Sequence, residues 1–254
     1  MNEPLRVCAG LLLSVVMVLC LFMVLTLIAP EVWGQADWTT GQAADSMDYT
    51  QIVSATDANY GALIAGSWRS GAGAAIVRAT LMKPAHDLRT AGYTQDSVKI
   101  WIKLQANMDP DVTSDSCELQ GYALRVPFGE GDNQGANADA GESSWNASEE
   151  GTNDWTTGGA QSTTNDRFAT KICSLIVVGE ASRPATWLTL TIYPPNITDD
   201  LWNNGIVIEP VCDVAFETMD NISDDNAVAA DRPYWEGWET APAAQTAYKR
   251  KRKN

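Results

Sequence analysis

Short runs of alternating apolar and polar residues, broken by turn-forming residues about every eight to twelve positions, recur along the chain after residue 34. A pleated strand turns successive side chains to opposite faces, so this spacing belongs to a sandwich or barrel and not to βαβ units. Ser97–Gln105, Lys171–Val178, Trp187–Tyr193 and Gly205–Phe216 read as strands. In the last of these Ile206, Ile208, Cys212, Val214 and Phe216 share one parity and are expected to face the core together, with Cys212 buried. No helical period is sustained for three turns, and only Ile197–Trp202 can close a single turn. Self-similarity at a fixed period is absent, which excludes a repeat array.

The chain has 254 residues, 45% hydrophobic and 19% charged, a balance that buries a sizeable core and does not resemble intrinsic disorder. Arg6 precedes a stretch from Ala9 to Ala29 that carries no charge. Val32 and Gly34 stand where small residues flank a cleavage site before Gln35, as in a removable signal peptide. The stretch is also long enough to span a bilayer, so a retained single-span anchor is the alternative. Either way residues 35–254 are expected outside, extracellular or at the cell surface, touching a membrane only through the N-terminal segment if it is uncleaved. The expected organisation is a signal peptide or anchor over residues 1–34, one β-sandwich domain over 35–240, and a flexible basic tail over 241–254.

Between the leader and the terminal run Lys249–Lys253, 11 basic residues face 30 acidic ones, a net charge of −19. Such a body repels nucleic acid and anionic membrane, and neither is expected as a partner. The tail reads as a docking element for an anionic polymer or for the acidic body of another copy, or as a solvated end. Cys8 and Cys20 lie in the leader, which leaves Cys117, Cys173 and Cys212. Three cysteines allow one disulfide with a free thiol, an intermolecular bridge, or three buried thiols. No CxxC spacing supports a cysteine zinc site.

General-base and triad chemistry usually needs a histidine, and His86 is alone, in a polar segment beside Pro84 and Asp87. GxSxG, HExxH, Walker A and helix-opening GxGxxG motifs are absent. A non-catalytic binding or structural protein is therefore expected.

Phe128 to Asp166 is a long polar stretch with Trp145 and Trp155 set into it, and a loop of that length is functional or pinned by its own anchors. Two readings of the tryptophans compete. Exposed indoles stack on the apolar faces of sugar rings, which makes Trp145, Trp155, Trp235 and Trp238 candidate ligand-binding residues. Alternatively, Trp145, Trp155 and Trp202 plug loops onto the core. Trp235 and Trp238 differ in parity, so one of them is expected to be exposed. Gly131–Asp139, Ile197–Asp200 and Asp220–Asn226 are rich in oxygen ligands suited to a structural calcium ion, but none follows the spaced DxDxDG loop, and the metal ligands stay unassigned. Asn146, Asn196 and Asn221 each open a glycosylation sequon.

The order of motifs over residues 53–238 resembles the DNRLRE-type, disaggregatase-related carbohydrate-binding modules. VSATDANYGAL (Val53–Leu63) is similar to that family's opening signature, with an Asn-Tyr-Gly turn in which Gly61 permits a positive φ. AIVRATLM (Ala75–Met82) and SVKIWIKLQ resemble its paired core strands, and GESSWNAS and NDWTTGGA its two tryptophan-bearing loops. WLTLTIYPPNITDDLWNNGIVIEP (Trp187–Pro210) is similar to its strand, one-turn crossover and returning strand, and VAFETMDN with DRPYWEGWE resembles the closing pair. The resemblance implies an all-β fold, a jelly-roll-like sandwich of two antiparallel sheets, with edges shielded by the long loops. It implies an exported structural or adhesive protein of a surface layer, extracellular fibre or virion, with other copies of itself as partner. The alternative is a free-standing module that binds extracellular polysaccharide.

Overall fold

The computed structural model describes residues 35–40, 47–54, 56–60, 66–70, 77–104, 116–133, 135–178, 186–212, 216–221 and 233–240. The leader, the basic tail, Gly61, Val214 and Arg232 lie outside the described residues. The chain divides into a larger compact unit of residues 37–90 and 95–238, and a smaller one of residues 1–36, 91–94 and 239–254. The smaller unit is described only at 35–36, 91–94 and 239–240, which are strand ends and a turn.

The architecture is an all-β sandwich of antiparallel sheets. Its strands are β1 (Gln35–Thr39), β2 (Met47–Val53), β3 (Gly66–Ser70), β4 (Arg78–Pro84), β5 (Thr94–Leu104), β6 (Ser116–Ala123), β7 (Ala147–Glu149), β8 (Asn153–Asp154), β9 (Cys173–Val178), β10 (Thr186–Ile192), β11 (Ile206–Cys212), β12 (Phe216–Asn221) and β13 (Tyr234–Thr240). The ladder runs β1-β13-β5-β12-β3-β4-β11-β6-β9, with β10 added to β5 and β2 to β4. It folds over at β12, whose Phe216–Asp220 pair with β3 while Asp220 and Asn221 pair with β5. One layer is thus β1, β13, β5 and β10, and the other is built on β2, β4, β11, β6 and β9. The short β7-β8 hairpin belongs to the long loop.

Strand alternation decides what lies between the layers. Leu188, Leu190 and Ile192 of β10 face Ile102, Ile100 and Val98 of β5 in antiparallel register; the last five are buried, and Leu188 packs against the core. Across from them Cys117, Leu119 and Ala123 of β6 and Ile206 and Ile208 of β11 close the same cluster. Trp68, Trp235 and Tyr49 are among its largest fully buried side chains. Burying a large apolar side chain removes roughly 1.5–3 kcal/mol of unfavourable hydration, so this cluster is the main stabilising feature. Gly121 of β6 belongs to the same packing: a Cβ there would collide with the Cys173 sulfur and lie 2.7 Å from Ile206 Cδ1.

The expected strand Gly205–Phe216 is two strands. Pleating alone shows no reason to stop at Cys212, but β11 pairs with β6 and β4 whereas β12 pairs with β3 and β5. Ile206, Ile208 and Cys212 do enter one core. The single turn expected near Ile197–Trp202 is α1 (Asp199–Asn203), with Asp199 and Asp200 in its first turn, where acidic groups favour the helix dipole, and Leu201 and Trp202 buried. Arg89 holds this turn: Nη1 lies 2.7 Å from Asp199, its Nε and Nη2 bind Asp87, and its guanidinium sits 5.0 Å from the Trp202 ring centroid. The hydrogen bond to Arg89 is the largest influence on Asp87 and holds its carboxyl below the usual range.

A disulfide joins Cys117 to Cys212, and Cys173 is a buried free thiol. Cys117 and Cys212 are directly opposed partners in the β6–β11 register, so pairing follows from the sheet.

A second apolar cluster covers the other face of the β2, β4, β11 and β6 layer. Ile52, Ala79, Leu81 and Val207 point outward there and are roofed by Leu124, Phe128, Trp155 and Ala160, with Tyr122, Val126 and Trp145 at the margin. The long loop is therefore a packed lid with its own core.

Candidate functional site

Trp155 is only 5% exposed, and its Nε1 donates to the Ser144 carbonyl oxygen at 3.1 Å. Trp145 is half-buried, and the chain at Gly158 and Gly159 lies so close to it that Cβ atoms there would come within 2.6 Å of its indole. Trp235 has no exposed surface. Of the four candidate tryptophans, Trp155 and Trp235 are buried, Trp145 is flanked by its own turn, and Trp238 is half-buried on the outward face of β13. The physical reason is area: an indole is the largest apolar surface available to hold a polar loop down.

Polar anchors complete the lid. Asp166, buried, accepts hydrogen bonds from the backbone N–H groups of Thr156, Thr157 and Ser162 at 2.9–3.1 Å. Asn59, from the Asn-Tyr-Gly signature, is buried, and its Nδ2 lies within 3.2 Å of Thr50 Oγ1 and of the carbonyl oxygens of Glu130 and Ser143. Glu142 accepts from the backbone N–H groups of Asp132 and Asp139 and from Asn133 Nδ2. Desolvation pushes its carboxyl up, but these donors outweigh it and hold the group below its usual range. The acid-rich segment Gly131–Asp139 thus donates to the carboxylate of Glu142; among the described residues no three His, Cys, Asp or Glu side chains gather as a metal site.

The sequons stand apart from one another. Asn146 is exposed and its side-chain amide donates to Asp57. Asn196 is half-buried in the turn after Tyr193. Asn221 ends β12 with its side chain outside the described residues, as does most of Asp220–Asn226. His86 is exposed in a bend.

A concentration of half-buried aromatic side chains lies elsewhere, on the outward face of β10, β5 and β13. The inward parity of Val98, Ile100 and Ile102 leaves Lys99, Trp101 and Lys103 outward on β5, and Thr191, Thr189 and Trp187 of β10 are their register partners. On the other side β13 presents Tyr234, Glu236 and Trp238. All nine side chains are half-buried by one another. Trp101 stacks on Tyr234 with centroids 5.8 Å apart and planes 9° apart, and Trp187 meets Tyr234 edge-on at 5.6 Å. Trp101 Nε1 donates to Glu236 at 3.0 Å. Lys99 Nζ lies 4.2 Å from the Trp238 centroid and 5.8 Å from that of Trp101, and Lys103 Nζ lies 5.9 Å from that of Trp187. Burial first, and the charge of Glu236 second, hold the Tyr234 phenol above its usual range, so it is a neutral hydrogen-bond donor at ordinary pH.

This face is a platform of four aromatic rings interleaved with two ammonium groups and a carboxylate. Rings held in this way suit stacking on a flat apolar surface, and the threonines, phenol and charged groups around them are hydrogen-bonding groups suited to hydroxyls. Of the platform's aromatic residues, only Trp238 is among the candidates that the sequence pattern singles out. Trp101 and Trp187 carried a usable signal: each sits in its strand at the parity opposite the aliphatic residues. Compared with family models, curated proteins and solved structures, the chain matches none.

Proposed function

We propose that this chain is an exported, non-catalytic adhesive protein that binds extracellular polysaccharide through the outward face of β10, β5 and β13. The observation that carries the reading is the set Trp101, Trp187, Tyr234 and Trp238 on one open sheet face, supported from the neighbouring strands by cations and a hydrogen-bonded carboxylate. Aromatic area of this kind on a soluble domain marks a contact surface. A pyranose ring has the complementary form: an apolar face of C–H bonds edged by hydroxyls. Export is read from the leader, and the carbohydrate-binding-module-like sandwich from the motif order. Trp101→Ala is expected to keep the fold, since the side chain is outside the main core, and to weaken retention on polysaccharide affinity gels by about two- to tenfold, taking a stacking contact as roughly 0.5–1.5 kcal/mol. Unchanged retention in a folded variant would remove the platform from the binding site.

A second role, assembly with other copies, has one specific observation behind it. On the outer side of β9, β6 and β11, Ile176 is 65% and Val211 51% exposed, on either side of their common partner Glu118. Val178, two residues along β9, is 47% exposed. An isolated monomer gains nothing from this row, whereas a second copy buries it. Ile176→Lys is expected to lower self-association in sedimentation experiments. A protein that is monomeric at high concentration before any substitution contradicts the assembly role.

A further inference from the structure

We infer that the polysaccharide bound at the aromatic platform is a polyuronate, a chain of sugars bearing carboxylates. The inference rests on the binding reading above and adds the ligand's charge. Four cations among the described residues are committed to acids: Lys83 lies 3.0 Å from Asp48, Arg167 2.7 Å from Glu209, Arg89 2.7 Å from Asp87 and Asp199, and Lys171 pairs with Glu118. Lys99 is different. Its neighbours are the rings of Trp101 and Trp238, and no carboxylate among the described residues pairs with it.

An ammonium group held against an indole satisfies one side electrostatically and keeps N–H donors for a further acceptor. Lys103, two residues along β5, also lies beside an indole, that of Trp187, so Lys, Trp and Lys alternate at positions 99, 101 and 103. Glu236, the acid of the platform, is turned to the Trp101 N–H. A uronic acid unit meets both elements at once, its ring face on an indole and its carboxylate on the neighbouring ammonium. The net charge of −19 between leader and tail sharpens the argument. Such a body repels polyanions in general, so an anionic chain is held only where rings and cations coincide.

The test uses affinity electrophoresis of the exported protein in gels containing polygalacturonate, alginate, highly methyl-esterified polygalacturonate, a neutral xylan or dextran sulfate. Retention is expected on the two polyuronates and is expected to fall about tenfold on the methyl ester, which keeps the sugar and removes the charge, as loss of a charge-assisted hydrogen bond requires. Lys99→Met keeps the packing stem and is expected to lose a similar factor on polyuronate, and Lys99→Arg to restore most of it. Added salt should weaken polyuronate retention. Equal retention on the acid and its methyl ester, unaffected by Lys99→Met, overturns the polyuronate inference and leaves polysaccharide binding standing. Retention on dextran sulfate that survives Trp101→Ala reduces the site to ion exchange and also overturns it. Absence of retention on every glycan removes the binding reading itself.

Discussion

Replacing Cys117 and Cys212 together by alanine is expected to lower the unfolding free energy by about 4 kcal/mol, since the bridge closes a long loop whose cross-link restricts the unfolded chain. The two residues are 95 positions apart, and between them lie the packed lid, β9, β10 and α1. Both sulfurs are also part of the inter-layer core, so the double variant loses packing as well as the cross-link. Urea unfolding of the wild type with and without reductant, beside the double variant, measures this. A change below about 1 kcal/mol would show that the bridge is dispensable and that register alone holds β6 against β11. Cys173 does not offer an exchange partner in the folded protein. Burial pushes its thiol up to about 12, so almost no thiolate exists near neutral pH to attack the disulfide.

Trp155→Ala is expected to cost roughly 3–5 kcal/mol, in the range for truncating a large buried aromatic. The indole is the centre of the roof over Ile52, Ala79, Leu81 and Val207, and its N–H is satisfied by Ser144. Removing it leaves a cavity at the base of a lid whose remaining ties are mainly polar. Trp155→Phe retains most of the packing and loses the hydrogen bond, so a loss nearer 1 kcal/mol is expected for it. Thermal melts of both variants, run beside affinity gels, separate structure from binding. If Trp155→Ala melted like the wild type but was no longer retained by polysaccharide, the lid would be the binding surface and the sheet face would not.

Local pattern was enough for a good part of this molecule. Val98, Ile100 and Ile102 announce an inward strand face, and their parity alone sends Trp101 outward. Trp235 and Trp238 were bound to differ, and they do: one is in the core and the other is on the platform beside Lys99. The long loop declared its anchors, because no other residue in it has the apolar area of Trp145 and Trp155. The break between β11 and β12 was not legible, since alternation persists through Cys212 and only the change of partner strand marks the corner.

Amino-acid order by itself determined the all-β class, the strand runs Ser97–Gln105, Lys171–Val178 and Trp187–Tyr193, and the burial of Cys212, because the pleat reverses side chains at every residue and needs no knowledge of distant neighbours. Tertiary structure alone decided that Cys212 meets Cys117 and not Cys173, that Asn59 ties β2 to the lid, and that Lys99, Trp101, Trp187, Tyr234 and Trp238 form one surface. Those outcomes depend on which strands lie side by side and in what register. Residues as far apart as Trp101 and Tyr234 acquire a common neighbour only when the sheets close.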